Sequence, residues 1–145
     1  MITPSPTTKI DAGLARGVYE GMTSSVSGRP ALLVFGVPNT SYQLHLVPKG
    51  EIRAAKGGRL IGTIHAQARR IDVVQTGGRF VEPVAGRPRR VQGVVVRVEG
   101  GAVVVDAGTV IHCTPTDPRQ VAEKFEAGQL VSFDVLAGAT YVPKG

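Results

Sequence analysis

Residues 90–113 read RVQGVVVRVEGGAVVVDAGTVIHC, and this stretch decides the fold class. Three apolar runs, 90–98, 102–106 and 109–113, are separated only by Glu99-Gly100-Gly101 and Ala107-Gly108. β-Branched side chains lose rotamer freedom in a helix but pack well on a pleated surface, and glycine supplies the backbone conformations of tight turns. The stretch therefore reads as three consecutive strands.

The same rhythm runs outward in both directions, and glycine and proline together supply 29 of the 145 residues. Strands are expected at 31–37, 41–47, 59–67, 71–75 and 79–84 upstream, at 129–136 downstream, and at 139–142 as a further short piece. Pro38-Asn39-Thr40 joins the first two as a hairpin loop. Tyr42, Leu44 and Leu46 alternate with Gln43 and His45, so one face of that strand is wet.

Two segments read as helix. Over 117–128, Asp117 is a good N-cap, Pro118 fits the first turn, Gln120 completes a capping box and Gly128 stops the run. Over 11–22, Leu14, Ala15, Val18, Tyr19 and Met22 form a helical stripe, weakened by Gly13, Gly17 and Gly21 at about 1 kcal/mol each. A slide of 31 residues places Arg59, Gly62, Val73, Val74 and Gly77 on Arg90, Gly93, Val104, Val105 and Gly108. The expected architecture is all-β and OB-like, as two small barrels or one fused one. Its parts are a flexible arm with a short helix (1–30), a first sub-barrel (31–84) and a second OB-like sub-barrel (85–145).

Residues 89–136 resemble the RNA-binding OB-fold repeat of the largest small-subunit ribosomal protein. Gly93 and Val95 match its first strand. Val110, Ile111, His112, Cys113 and Thr114 match its apolar–His–apolar–Ser motif, and Phe125, Gly128, Gln129, Val131, Phe133 and Val135 match its last strand. The resemblance implies a five-stranded barrel and RNA binding. The family's stacking aromatics are replaced around Ala102 and Val103, which leaves His112 as the one matching exposed contact.

The length suits one domain or two very small ones. A lone Cys113 excludes an internal disulfide and a cysteine-based zinc cluster. No run of about 20 apolar residues occurs, so no membrane partner is expected. The N-terminus lacks a signal-peptide core, which makes the cytoplasm the expected compartment. The formal charge is +6. Residues 49–97 hold eleven of the 17 basic residues against three acidic ones, whereas 98–145 hold three basic against six acidic.

Basic turns can track phosphates. Lys49, Arg53, Lys56, Arg69, Arg70, Arg87, Arg89 and Arg90 are the candidate contacts, and His112 the candidate base-stacking ring. The expected function is a sequence-tolerant, non-catalytic nucleic-acid-binding module for RNA or single strands. The alternative is an assembly module forming a homo-oligomer or protein contacts. No enzyme, metal or cofactor is expected. His45, His65 and His112 lack ligand spacing, adjacent His112 and Cys113 point to opposite strand faces, and no Gly-x-Gly or Walker motif is present. Phe35, Tyr42, Phe125 and Phe133 read as core, as does Cys113.

Overall fold

The computed structural model describes residues 11–25 and 28–144; the expected arm at 1–10 lies outside them. Among the described residues, strands form one continuous hydrogen-bonded sheet. β1 (Ala15–Met22), β2 (Leu33–Gly36) and β3 (Gln43–Pro48) make an antiparallel meander. β4 (Arg59–Ala68) returns antiparallel to β1. The gap between β3 and β4 is filled by β12 (Thr140–Pro143), parallel to β3 and antiparallel to β4. The circuit β1–β2–β3–β12–β4 closes on itself as a five-stranded barrel, the OB-like architecture expected from the sequence.

A second circuit is built on the far half of β4. β8 (Arg90–Glu99), β9 (Ala102–Asp106) and β10 (Val110–Pro115) are the three strands read from residues 90–113. β10 runs parallel to β4, with Ile111 opposite Ile64 and Cys113 opposite Ala66. β11 (Leu130–Asp134) pairs with β8, and just past it Val135 bridges Ala68. Beyond that bridge β5 (Asp72–Val73) continues along β11. β6 (Phe80–Glu82) pairs with β8, and β7 (Ala85–Gly86) with β3. The two units interleave along the chain rather than following one another as 31–84 and 85–145: β12 completes the first, and β4 belongs to both.

The helix expected at 11–22 is strand β1. The buried positions are Gly13, Ala15 and Gly17, a period of two that carries almost no apolar signal because the residues are so small. The capped helix expected at 117–128 is reduced to a single 3-10 turn, Ala122–Lys124, entered through an extended Val121. Its two cap signals have other uses. Asp117 accepts from the Arg119 backbone and guanidinium at 2.9 Å each, and this pairing holds its carboxyl down at about 2. Gln120 Oε1 accepts from Ile71 N and its Nε2 donates to Ile71 O, both at 2.8 Å. The amide thus stands in for a strand neighbour past the end of β10.

The 31-residue offset lays β4 on β8 residue for residue. Gly62 and Gly93 are both buried where an added Cβ would strike a backbone carbonyl, that of Val142 or Asp106. The correspondence ends there, because Val73 is exposed and Val104 is fully buried.

Phe35, Leu44, Leu46, Ile64 and Tyr141 fill the first ring, with the Phe35 and Tyr141 rings 5.6 Å apart. Gly17 faces the Phe35 ring so closely that a Cβ would overlap it. Gly17→Ala should therefore cost about 1–3 kcal/mol in chemical denaturation, the usual cost of overpacking. Phe35→Leu removes the obstructing ring, so the double variant should lose less than the sum of the two single changes.

Candidate nucleic-acid interface

The eight basic candidates Lys49, Arg53, Lys56, Arg69, Arg70, Arg87, Arg89 and Arg90 are all exposed, but they do not line one edge. β4 separates them. Arg53 and Lys56 lie just before its first residue and Arg69 and Arg70 follow its last, while Lys49 sits between, its N donating to Tyr141 O at 2.8 Å opposite the middle of β4. Ten strand residues span about 30 Å. Several are already engaged. Arg90 donates to Asp134 Oδ1 and Ser132 Oγ, both at 2.8 Å, which ties it to the β8–β11 rung. Arg70 meets Asp72 at 2.9 Å and Arg53 meets Glu51 at 3.5 Å.

Arg69, Arg87 and Arg89 do converge. Val135 N donates to Arg89 O at 2.8 Å, and Val135 bridges Ala68, the residue before Arg69. Two residues before Arg89, Arg87 lines a cleft of about 660 Å³ on the outside of the first barrel. The β1–β2 connection gives this cleft Thr23, Arg29, Pro30 and Leu32, strand β3 gives His45 and Val47, and the chain between β11 and β12 gives Ala137, Gly138 and Ala139. The neck of the first connection is pinned: Leu32 N donates to Thr23 Oγ1, and Thr23 N to Leu32 O, both at 2.8 Å.

Arg29 and Arg87 have no carboxylate within ion-pair distance among the described residues, and no Asp or Glu lines the cleft. Arg87 also lines a neighbouring hollow with Arg89, Pro83 and Glu82. Arg29, Arg87, Arg89 and Arg69 are thus strung along one end of the molecule. Arg29 and His45 were not among the sequence-derived candidates. Both come from elements whose outer face is visible only once β12 and the 137–139 segment are placed beside β3.

His112 is corrected from an exposed stacking ring to a buried one. It points outward from β10, opposite Cys113, but is only 6% exposed because residues 11–14 cross over it. Its Nε2 donates to Gly13 O at 2.7 Å. Asp11 Oδ1 accepts from Gly13 N at 2.6 Å and from Arg97 Nη2 at 2.7 Å, which fastens the crossing segment. On the parallel rung beside it lies His65, the ring centroids 5.1 Å apart. These histidines, 47 apart in sequence, are neighbours only through the β4–β10 pairing. Cys113 is fully buried, and burial pushes its thiol up to about 12, so it has no thiolate with which to act. Among the described residues no cluster of three or more His, Cys, Asp or Glu has metal-ligand geometry, and no helix is long and apolar enough to cross a membrane.

Comparison with protein-family models, with curated proteins and with solved structures returns no match.

Burial, and then the charge of His112, push the His65 pKa below its ordinary 6.5. The unfolded chain therefore takes up a proton there before the folded one does, and stability falls as pH drops below about 6.5 towards the folded value. His65→Gln should flatten this part of a melting-temperature profile. In His112→Gln the His65 ring resonances should titrate at higher pH than in the parent, though still below the ordinary value, because burial remains.

Proposed function

We propose that the chain is a sequence-tolerant binding module for RNA or single-stranded nucleic acid, non-catalytic, with phosphates held along Arg29, Arg87, Arg89 and Arg69. One observation carries this reading. The arginine-bearing, carboxylate-free cleft lies on the outer β2–β3 side of the first barrel. It sits between the β1–β2 connection and residues 137–139, the last stretch of chain on the way from β4, the fourth strand of that barrel, to β12, the fifth. OB-fold barrels bind oligonucleotides on that face, between the loop joining their first two strands and the loop joining their last two.

The apolar part of the lining supports tolerance of sequence. Leu32, Pro30 and Val47 offer apolar surface without hydrogen-bonding groups that could read base edges, and His45 is the ring placed to stack on a base. Phosphate contacts position a strand but carry no base information.

Arg29→Ala with Arg87→Ala should weaken binding about equally for two unrelated single-stranded oligonucleotides. The slope of log affinity against log salt should fall by about 0.7 for each phosphate no longer neutralised. Arg53→Ala with Lys56→Ala, in the connection just before β4, should leave both affinity and slope near the parent values. An unchanged slope in the arginine variant would overturn the assignment. The assembly module would then lead, with light scattering of nuclease-treated protein as its readout.

A further inference from the structure

The two barrels differ at corresponding ends. In the second, the β10–β11 connection lays its 3-10 turn across the ring, with Ala122 buried and Phe125 packed on the core. In the first, the β3–β4 connection at 49–58 is irregular chain, and its apolar residues Ile52 and Ala54 are only half-buried. A groove of about 510 Å³ remains there, floored by Ile52, Leu60, Ile61 and Pro143. Small-molecule sites occupy roughly 300–1,000 Å³.

Tyr141 reaches this groove from inside the barrel. Its ring lies over Gly62, where an added Cβ would sit 2.8 Å from both Cζ and the hydroxyl oxygen, so the missing side chain is what admits it. The residue is 1% exposed, lines the groove, and its hydroxyl has no hydrogen-bond partner among the described residues. Burial raises the phenol above its ordinary pKa, which keeps the proton in place for donation. Nothing among the described residues accepts its proton, so an acceptor atom of a ligand in the groove can take it. The rim is cationic. Three cations line it, Arg53, Arg59 and Lys144, against one carboxylate, Glu51, which lies 3.5 Å from Arg53 with both side chains largely in solvent; Arg59 and Lys144 have no carboxylate in ion-pair reach among the described residues.

We infer that this open barrel end binds a small amphipathic anion. Its apolar body rests on Ile52, Leu60 and Ile61, its charged group meets Arg59 and Lys144, and an acceptor atom takes the Tyr141 hydroxyl proton in a hydrogen bond. The site lies at the opposite end of β4 from Arg69 and Arg87, so it stands or falls independently of the nucleic-acid reading.

Two fluorescent probes of similar shape separate the contributions: 1-anilinonaphthalene-8-sulfonate, which is anionic, and N-phenyl-1-naphthylamine, which is neutral. The folded parent should bind the sulfonate one to one, and decanoate should displace it. Arg59→Ala with Lys144→Ala should weaken the sulfonate about tenfold or more, the scale of hydrogen bonds to charged groups, and leave the neutral probe unchanged. Ala54→Trp, at a half-buried position lining the groove, should fill it and abolish binding of both probes, with circular dichroism showing the parent fold. Oligonucleotide affinity should be unchanged in all variants. Sulfonate binding that survives both the double variant and Ala54→Trp, or that decanoate does not displace, would overturn the site.

Discussion

Strand β4 has two edges, and four segments share them. One edge carries β12 opposite residues 62–65 and then residues 135–136 opposite 67–68. The other carries β1 opposite 59–62 and β10 opposite 64–68. Each backbone N–H and C=O serves one neighbour, so partners on the same edge must stop where the next begins. Much else is a consequence. Upstream of Ala15 the chain cannot continue along β4, because β10 is there. It turns out of the sheet, with Leu14 N donating to Asp11 O at 3.0 Å, and passes over His112. On the opposite edge the chain leaves Leu136 and enters β12 at Thr140, so residues 137–139 must bridge the two barrels on the outside, where they form a wall of the arginine cleft.

Local pattern carried the strands. The hairpin around Pro38-Asn39-Thr40 and the meander of 90–113 involve neighbours in sequence, and their alternation and turn residues are sufficient to place them. Asn39 takes a φ of 61°, which asparagine tolerates in a turn. The opposite faces of His112 and Cys113 were also legible, being a property of any strand. What covers His112 was not, since Asp11, Gly13 and Arg97 come to it from distant parts of the chain.

The misread segments fail for identifiable reasons. In β1 the inward positions begin with Ala15 and Gly17, which contribute space rather than hydrophobicity. The ring of Phe35 fills the place a larger residue would take. Glycines that argue against a helix there are required by a neighbour invisible to local reading. In the 117–128 segment, Asp117 and Gln120 are the right residue types for a cap, but their hydrogen bonds close a turn and extend a ladder. With so few residues available an isolated helix is marginal, and a tertiary contact to Ile71 outweighs it.

The charge distribution also takes its meaning from β4. Summed over residues 49–97 the basic excess looks like one field. The two groups nevertheless sit about 30 Å apart along a strand, while the screening length at physiological salt is about 8 Å. A phosphate at Arg87 is therefore nearly blind to Arg59 and Lys144, and an anion at Arg59 is equally blind to Arg87. Each end acts with the charge it holds locally. An extended strand could gain from both ends only by lying along the whole barrel, past the Asp11–Arg97–Glu99 cluster beside the middle of β4. The basic residues around the arginine cleft and those around the Tyr141 groove thus form two separate short-range clusters with different surroundings.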